Sequence, residues 1–159
     1  MTERPLMKVG VAGLGVMGRN HARVLSDMRG VRLTAAFDPD PPTAEAARAY
    51  GAVPLTTVEA FLAADLDAAV VATPNRHHAD LSVALLEKGV PVLVEKPIAA
   101  DLAGARRMID AARASGVVLM VGHVERFNPA VEAVKKAVAG DDIISIQITR
   151  VGPFPPRMG

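Results

Sequence analysis

A short apolar run, Val9-Gly10-Val11-Ala12, leads directly into Gly13-Leu14-Gly15-Val16-Met17-Gly18, and an acid, Asp38, stands twenty positions beyond the last of those glycines. Glycine-rich hexamers arise by chance, so the string alone constrains little. The order constrains more. A strand, a glycine turn, an amphipathic helix, a second strand over 33–37 and an acid at that strand's carboxyl end follow one another as a dinucleotide site requires.

Each residue of the unit has a physical task in that reading. Gly13 permits the tight turn off the first strand. Gly15 lets the backbone approach a pyrophosphate, and Gly18 lets the new helix lie against the sheet. The amides of the first helical turn, at Val16, Met17 and Gly18, and the positive end of the helix dipole hold the phosphates. Val16, Met17, Val24, Leu25 and Met28 make the expected apolar face of that helix, with Arg19, Arg23 and Asp27 outside it. A carboxylate at Asp38 accepts hydrogen bonds from the adenosine ribose and repels a 2′-phosphate. That favours NAD over NADP, unless Arg48 or another base folds toward the ribose.

The chain has 159 residues, half of them hydrophobic and only 3% aromatic, a profile suited to close-packed α/β layers around one core. Its formal net charge is +1 and no basic run stands out, so nucleic-acid binding has no electrostatic footprint. It has no cysteine, which excludes disulfides, thiolate zinc sites and cysteine nucleophiles. The apolar runs are too short for a membrane span, and the N-terminus lacks a signal peptide's apolar stretch. A cytoplasmic protein is the expectation.

Further elements follow the same alternation. A helix is expected over 43–50 with Gly51 as its stop, a short edge strand over 53–55, and a capped helix from Thr56-Thr57-Val58-Glu59 to 64. Residues 68–72 form a continuous apolar run suited to a buried parallel strand. A helix over 77–88 with Leu81, Val83, Ala84 and Leu85 inward, a strand over 90–94, and a helix from its Asp101 cap to 115 come next. That last helix is expected to turn Leu102, Ala105, Met108, Ile109 and Ala112 inward. Then come a buried strand over 117–121 and a helix over 129–139 ended by Gly140. The fold class is α/β, a doubly wound parallel sheet. Beyond it, Ile144, Ile146 and Ile148 alternate with polar residues over 143–151, the pattern of a half-exposed strand that needs a cover. The domain reading is a dinucleotide-binding domain at 1–122, a connecting helix region at 123–142, and the start of a second domain at 143–159.

Three more motifs stand just past strand ends: Ala72-Thr73-Pro74-Asn75-Arg76-His77-His78, Val94-Glu95-Lys96-Pro97-Ile98-Ala99, and Val121-Gly122-His123-Val124-Glu125-Arg126-Phe127-Asn128-Pro129. Together with the glycine fingerprint and Asp38 they resemble the Gfo/Idh/MocA family of NAD(P)-dependent oxidoreductases. The tail, with Arg150-Val151-Gly152-Pro153-Phe154-Pro155-Pro156-Arg157, looks most like the UDP-N-acetylglucosamine 3-dehydrogenase branch.

That resemblance implies roles. Lys96 is the lysine beside the nicotinamide and the substrate carbon, where an ammonium stabilises developing alkoxide charge or relays a proton. Pro97 follows a cis peptide, and Glu95 fixes the loop. Thr73, Pro74 and Asn75 line the nicotinamide-ribose and diphosphate side. His78 either reaches the cofactor ribose or is a solvated histidine at a helix start. His123 is either a catalytic acid or base or a local hydrogen-bonding residue that orders the following turn. His21, inside the first helix, reads as a packing or capping residue. No histidine frame for zinc appears. Members of the family continue through an antiparallel domain that supplies an Asp and a His to the substrate site, so this chain is expected to hold the cofactor domain and half of a catalytic apparatus.

The implied activity is hydride transfer between a sugar or sugar-nucleotide hydroxyl and nicotinamide. One alternative is an NAD(H)-binding module that does not turn over or that needs a partner chain. Another is a structural role, with 143–151 adding a strand to a partner or to a second copy in a homo-oligomer. A methyltransferase is the weaker competitor, because Glu95-Lys96-Pro97 has no task in that chemistry.

Overall fold

The computed structural model of the protein describes residues 5–149 and 151. The 150–157 tail, Val151 apart, lies outside the described residues. By contact density the chain divides into two units, one reaching His123 and the other starting at Val124.

The first unit is built on six strands: β1 (Met7–Ala12), β2 (Val31–Phe37), β3 (Val53–Leu55), β4 (Ala68–Val71), β5 (Val92–Val94) and β6 (Leu119–Val121). All pair in parallel, in the order β3-β2-β1-β4-β5-β6. The order reverses direction between β1 and β4, which opens a crevice at their carboxyl ends. The helices of this unit are α1 (Val16–Asp27), α2 (Pro41–Glu45), α3 (Val58–Leu62), α4 (His78–Glu87) and α5 (Leu102–Ser115). Among the described residues no helix is long and apolar enough to cross a membrane.

Two buried clusters flank the sheet. One gathers Val9, Val11, Leu14, Ala22, Leu33 and Ala36. The other gathers Phe61, Val71, Leu85, Leu86, Val94 and Met108. The capping expectations hold in outline. Asp101 accepts from the Gly104 amide at 2.7 Å, and Thr57 rather than Thr56 caps α3 through the Ala60 amide at 3.2 Å. The 43–50 helix begins two residues early at Pro41, capped by Asp40, and tightens into a 3-10 turn over Ala46–Tyr50 before Gly51.

Three expectations need correction. The buried face of α1 is Gly18 and Ala22, with Leu25 half-buried beside them; Val16, Met17, Val24 and Met28 are exposed. Small side chains let the helix axis come close to the sheet, and that close approach leaves the longer apolar residues outside. Leu102 and Ile109 are likewise exposed on α5, which buries Gly104 and Met108 instead. β6 is an edge strand with Met120 exposed, not a buried one.

In the second unit, α6 (Pro129–Ala137) starts at Asn128, whose side chain accepts from the Ala130 amide at 3.0 Å. The strand expected over 143–151 is not one: residues 143–149 carry no strand structure. Alternation prepares a face, but a strand also needs a ladder partner. None of the described residues pairs with this segment.

Candidate dinucleotide and lysine site

The glycine turn closes on backbone. Gly13 has a φ of +88°, and a Cβ there would stand 2.7 Å from the carbonyl carbon and oxygen of Ala72 and from the Thr73 nitrogen. The turn therefore packs on the end of β4, and its amide donates to the Phe37 carbonyl at 2.7 Å. A Cβ on Gly18 would collide with the Gly13 carbonyl, 2.7 Å from its carbon. Gly18 thus admits the turn's own carbonyl under the helix, a closer constraint than contact with the sheet.

Gly15 differs from both: a Cβ there would meet nothing within 4 Å. It is the N-cap of α1, no side chain caps that end, and no acid lies in the first turn. A positive helix end open at Gly15, with no side-chain acceptor among the described residues, fits a diphosphate.

Asp38 lies half-buried just past the end of β2. Its Oδ2 accepts from the Leu14 amide at 2.9 Å, and its Oδ1 from the Asp40 amide at 3.1 Å. The carboxylate that spacing assigned to a ribose therefore also ties the glycine turn to the β2 loop. Each oxygen retains a further lone pair for a hydroxyl. Arg48 is bonded to Glu45 instead of turning toward this carboxylate.

A cavity of about 450 Å³ opens beside Asp38, lined by Phe37, Pro39, Val58, Thr73, Pro74 and Leu81 among others. Its apolar walls and its volume suit a flat heteroaromatic base. Thr73 Oγ1 is buried with no hydrogen-bond partner among the described residues. Thr73 and Pro74 thus both line this cavity. Asn75 is exposed and opens a 3-10 turn, Asn75–His77.

The Glu95-Lys96-Pro97 motif forms a turn after β5. The Lys96–Pro97 peptide is cis. Lys96 is exposed, with no ion pair among the described residues. Glu95 is only 6% exposed; one carboxylate oxygen meets His21 Nε2 at 2.8 Å and the other accepts from the Lys96 amide at 3.1 Å.

His78 answers neither reading made of it. It is 2% exposed, with Nδ1 2.9 Å from the Pro97 carbonyl and Nε2 2.8 Å from the Thr73 carbonyl. The ring bridges the loops after β4 and β5 and has no nitrogen left for a ribose. Both neighbours are acceptors, so a neutral ring donates to one of them at a time. His123 is exposed; its backbone amide donates to the Val121 carbonyl at 2.7 Å, and its side chain has no hydrogen bond among the described residues.

Glycine turn, carboxylate, base-sized cavity and lysine turn all lie at the carboxyl edge of one parallel sheet ordered 3-2-1-4-5-6. That is the class of dinucleotide-binding oxidoreductase domains. Comparison with known proteins gives the particular family. The family model described as "Oxidoreductase family, NAD-binding Rossmann fold" matches residues 7–123, and the chain belongs to this Gfo/Idh/MocA family. Inositol 2-dehydrogenase 4 of Saccharopolyspora erythraea is 39% identical over 146 residues, covering 87% of this chain and 42% of that protein. UDP-N-acetylglucosamine 3-dehydrogenase of Acidithiobacillus ferrooxidans is 32% identical over 155 residues, covering 95% of this chain and 47% of that protein. The crystal structure of GenD2 from gentamicin A biosynthesis in complex with NAD superposes with a TM-score of 0.82 at 32% identity, covering 88% of this chain and 41% of that one. The chain thus spans less than half the length of the curated relatives it matches.

Proposed function

We propose that this chain is the cofactor-binding part of a dehydrogenase acting on a secondary hydroxyl of a sugar, a sugar nucleotide or a related cyclic polyol, with NAD preferred to NADP. The observation that carries the reading is the placement of Lys96. An exposed ammonium, in a turn fixed by Glu95, stands at the sheet edge that also holds the open helix end and Asp38.

When bound, a nicotinamide supplies the hydride acceptor or donor. The chain's own residues supply position and charge. Amides of Val16, Met17 and Gly18 hold the diphosphate, and the cavity beside Thr73 and Pro74 holds the base. Asp38 accepts from the ribose. Lys96 places positive charge where a substrate oxygen gains negative charge. His123, on the neighbouring strand end, is available to a substrate. The exposed isoleucines at 144, 146 and 148 make the 143–151 segment a candidate surface for self-association.

The test is a fluorescence titration with NADH and NADPH on the wild-type chain, Asp38→Ala and Asp38→Asn. NADH should bind the wild type more tightly than NADPH. Asp38→Ala should lower NADH affinity by about 1.5–3 kcal/mol and NADPH affinity by less, the NADPH loss reporting only the lost support of the glycine turn. Asp38→Asn keeps an acceptor for the Leu14 amide, so it separates ribose recognition from loop support. Absence of NADH binding by the wild type overturns the reading. Turnover followed at 340 nm with myo-inositol or UDP-N-acetylglucosamine should be weak or nil for this chain alone.

A further inference from the structure

A buried carboxylate is costly unless its oxygens find donors. Glu95 is such a group, and the lysine turn hangs from it. It follows β5, the strand between β4 and the edge strand β6. Its amide donates to the Val71 carbonyl at 2.9 Å. A Cβ on Gly122, beyond β6, would come within 3.3 Å of its carboxyl atoms. The carboxylate is hemmed in by backbone on that side, and its two oxygens are divided between two donors. One is the Lys96 amide, at 3.1 Å. The other is His21, at 2.8 Å and 74 residues away in sequence.

His21 comes from α1, little more than one turn beyond the helix end assigned to the diphosphate. The side chains of the pair are 19% and 8% exposed. One hydrogen bond therefore joins the diphosphate-holding helix to the turn that carries Lys96. The carboxylate spends its bonds on His21 and the Lys96 amide, and among the described residues it forms no ion pair with the adjacent Lys96 ammonium, which is exposed.

We infer that His21 is a positioning residue: acting through Glu95, it holds the Lys96 turn in register with the diphosphate site and keeps the lysine ammonium free for the nicotinamide end. This inference rests on the cofactor reading above. Take away the donor, and the stranded Glu95 oxygen can turn to the ammonium of the next residue, Lys96.

The test separates the two ends of the cofactor. ADP-ribose carries the adenosine, diphosphate and second ribose but no nicotinamide. Dissociation constants for NADH and ADP-ribose are measured on the wild-type chain, His21→Leu and His21→Gln, with melting temperature alongside. A glutamine amide nitrogen falls close to the place of Nε2 and can donate to Glu95. His21→Leu should lose five- to tenfold in NADH affinity while ADP-ribose stays within twofold, and His21→Gln should return NADH affinity to within twofold of wild type. Equal weakening of both ligands, no change in either, or failure of His21→Gln to rescue overturns the inference while leaving the cofactor reading intact. If His21→Leu does not fold, His21→Asn, too short to reach, replaces it in the same comparison. A wild type that binds neither ligand overturns the cofactor reading, and the inference with it.

Discussion

At residue scale, the three glycines of the turn have separable tasks, and single substitutions can tell them apart. Gly13→Ala puts an L side chain at φ +88° against the Ala72 backbone and should cost about 1–3 kcal/mol of stability. Gly15→Ala meets no protein atom and has an ordinary φ of −64°. Its melting temperature should stay near wild type while NADH affinity falls at least tenfold. A Gly15→Ala chain that binds NADH normally would remove the diphosphate from this helix end. Spacing singled out Gly13, Gly15, Gly18 and Asp38 because each belongs to one turn or strand end, whereas Lys96 was marked only by the family resemblance. The His21–Glu95 pair was not legible, since 74 residues separate its members and an isolated helical histidine gives no cue to its partner. His78 misled for a related reason: its partners are backbone carbonyls, which carry no sequence signature.

At the scale of elements, the reading by hydrophobic pattern found the six strands and the six α-helices of the described residues, missed the short 3-10 turns at Asn75–His77 and Val124–Phe127, and erred on faces. Counting large apolar residues chose Val16, Met17, Val24 and Met28 for the inner side of α1, where Gly18 and Ala22 are buried. The buried stripe of α1 is made of small residues, so a count of large apolar side chains points away from it. Ala22→Leu should therefore destabilise by about 1–3 kcal/mol through overpacking, measured by urea unfolding. Val24→Ala on the exposed side should stay within about 0.5 kcal/mol of wild type. Reversal of that ranking would restore the large apolar face. The 143–151 segment shows the complementary limit: a period of two records which side chains prefer cover, and pairing depends on a neighbour that the pattern does not name.

For the whole molecule, the loops that matter were placed by topology more than by any one motif. Parallel strands put the ends of β1, β2, β4, β5 and β6 at one rim, so segments as distant as Gly13 and Gly122 converge on the same crevice. A ligand seated there should stabilise the sheet globally. NADH at a hundred times its dissociation constant adds about 2.7 kcal/mol, a rise in melting temperature of roughly 10 °C for a unit of this size. A calorimetric scan showing no such rise would place the nucleotide off the folded unit.

The opposite rim lies across the sheet from the candidate site. There the chain passes from helix to strand, at Gly30 before β2, Gly89 before β5 and Gly116 before β6. A fluorophore, a tether to a sensor chip or a few inserted residues attached at that far side would travel with the folded sheet yet leave the nucleotide entrance unobstructed, which makes this domain a natural host for a reporter.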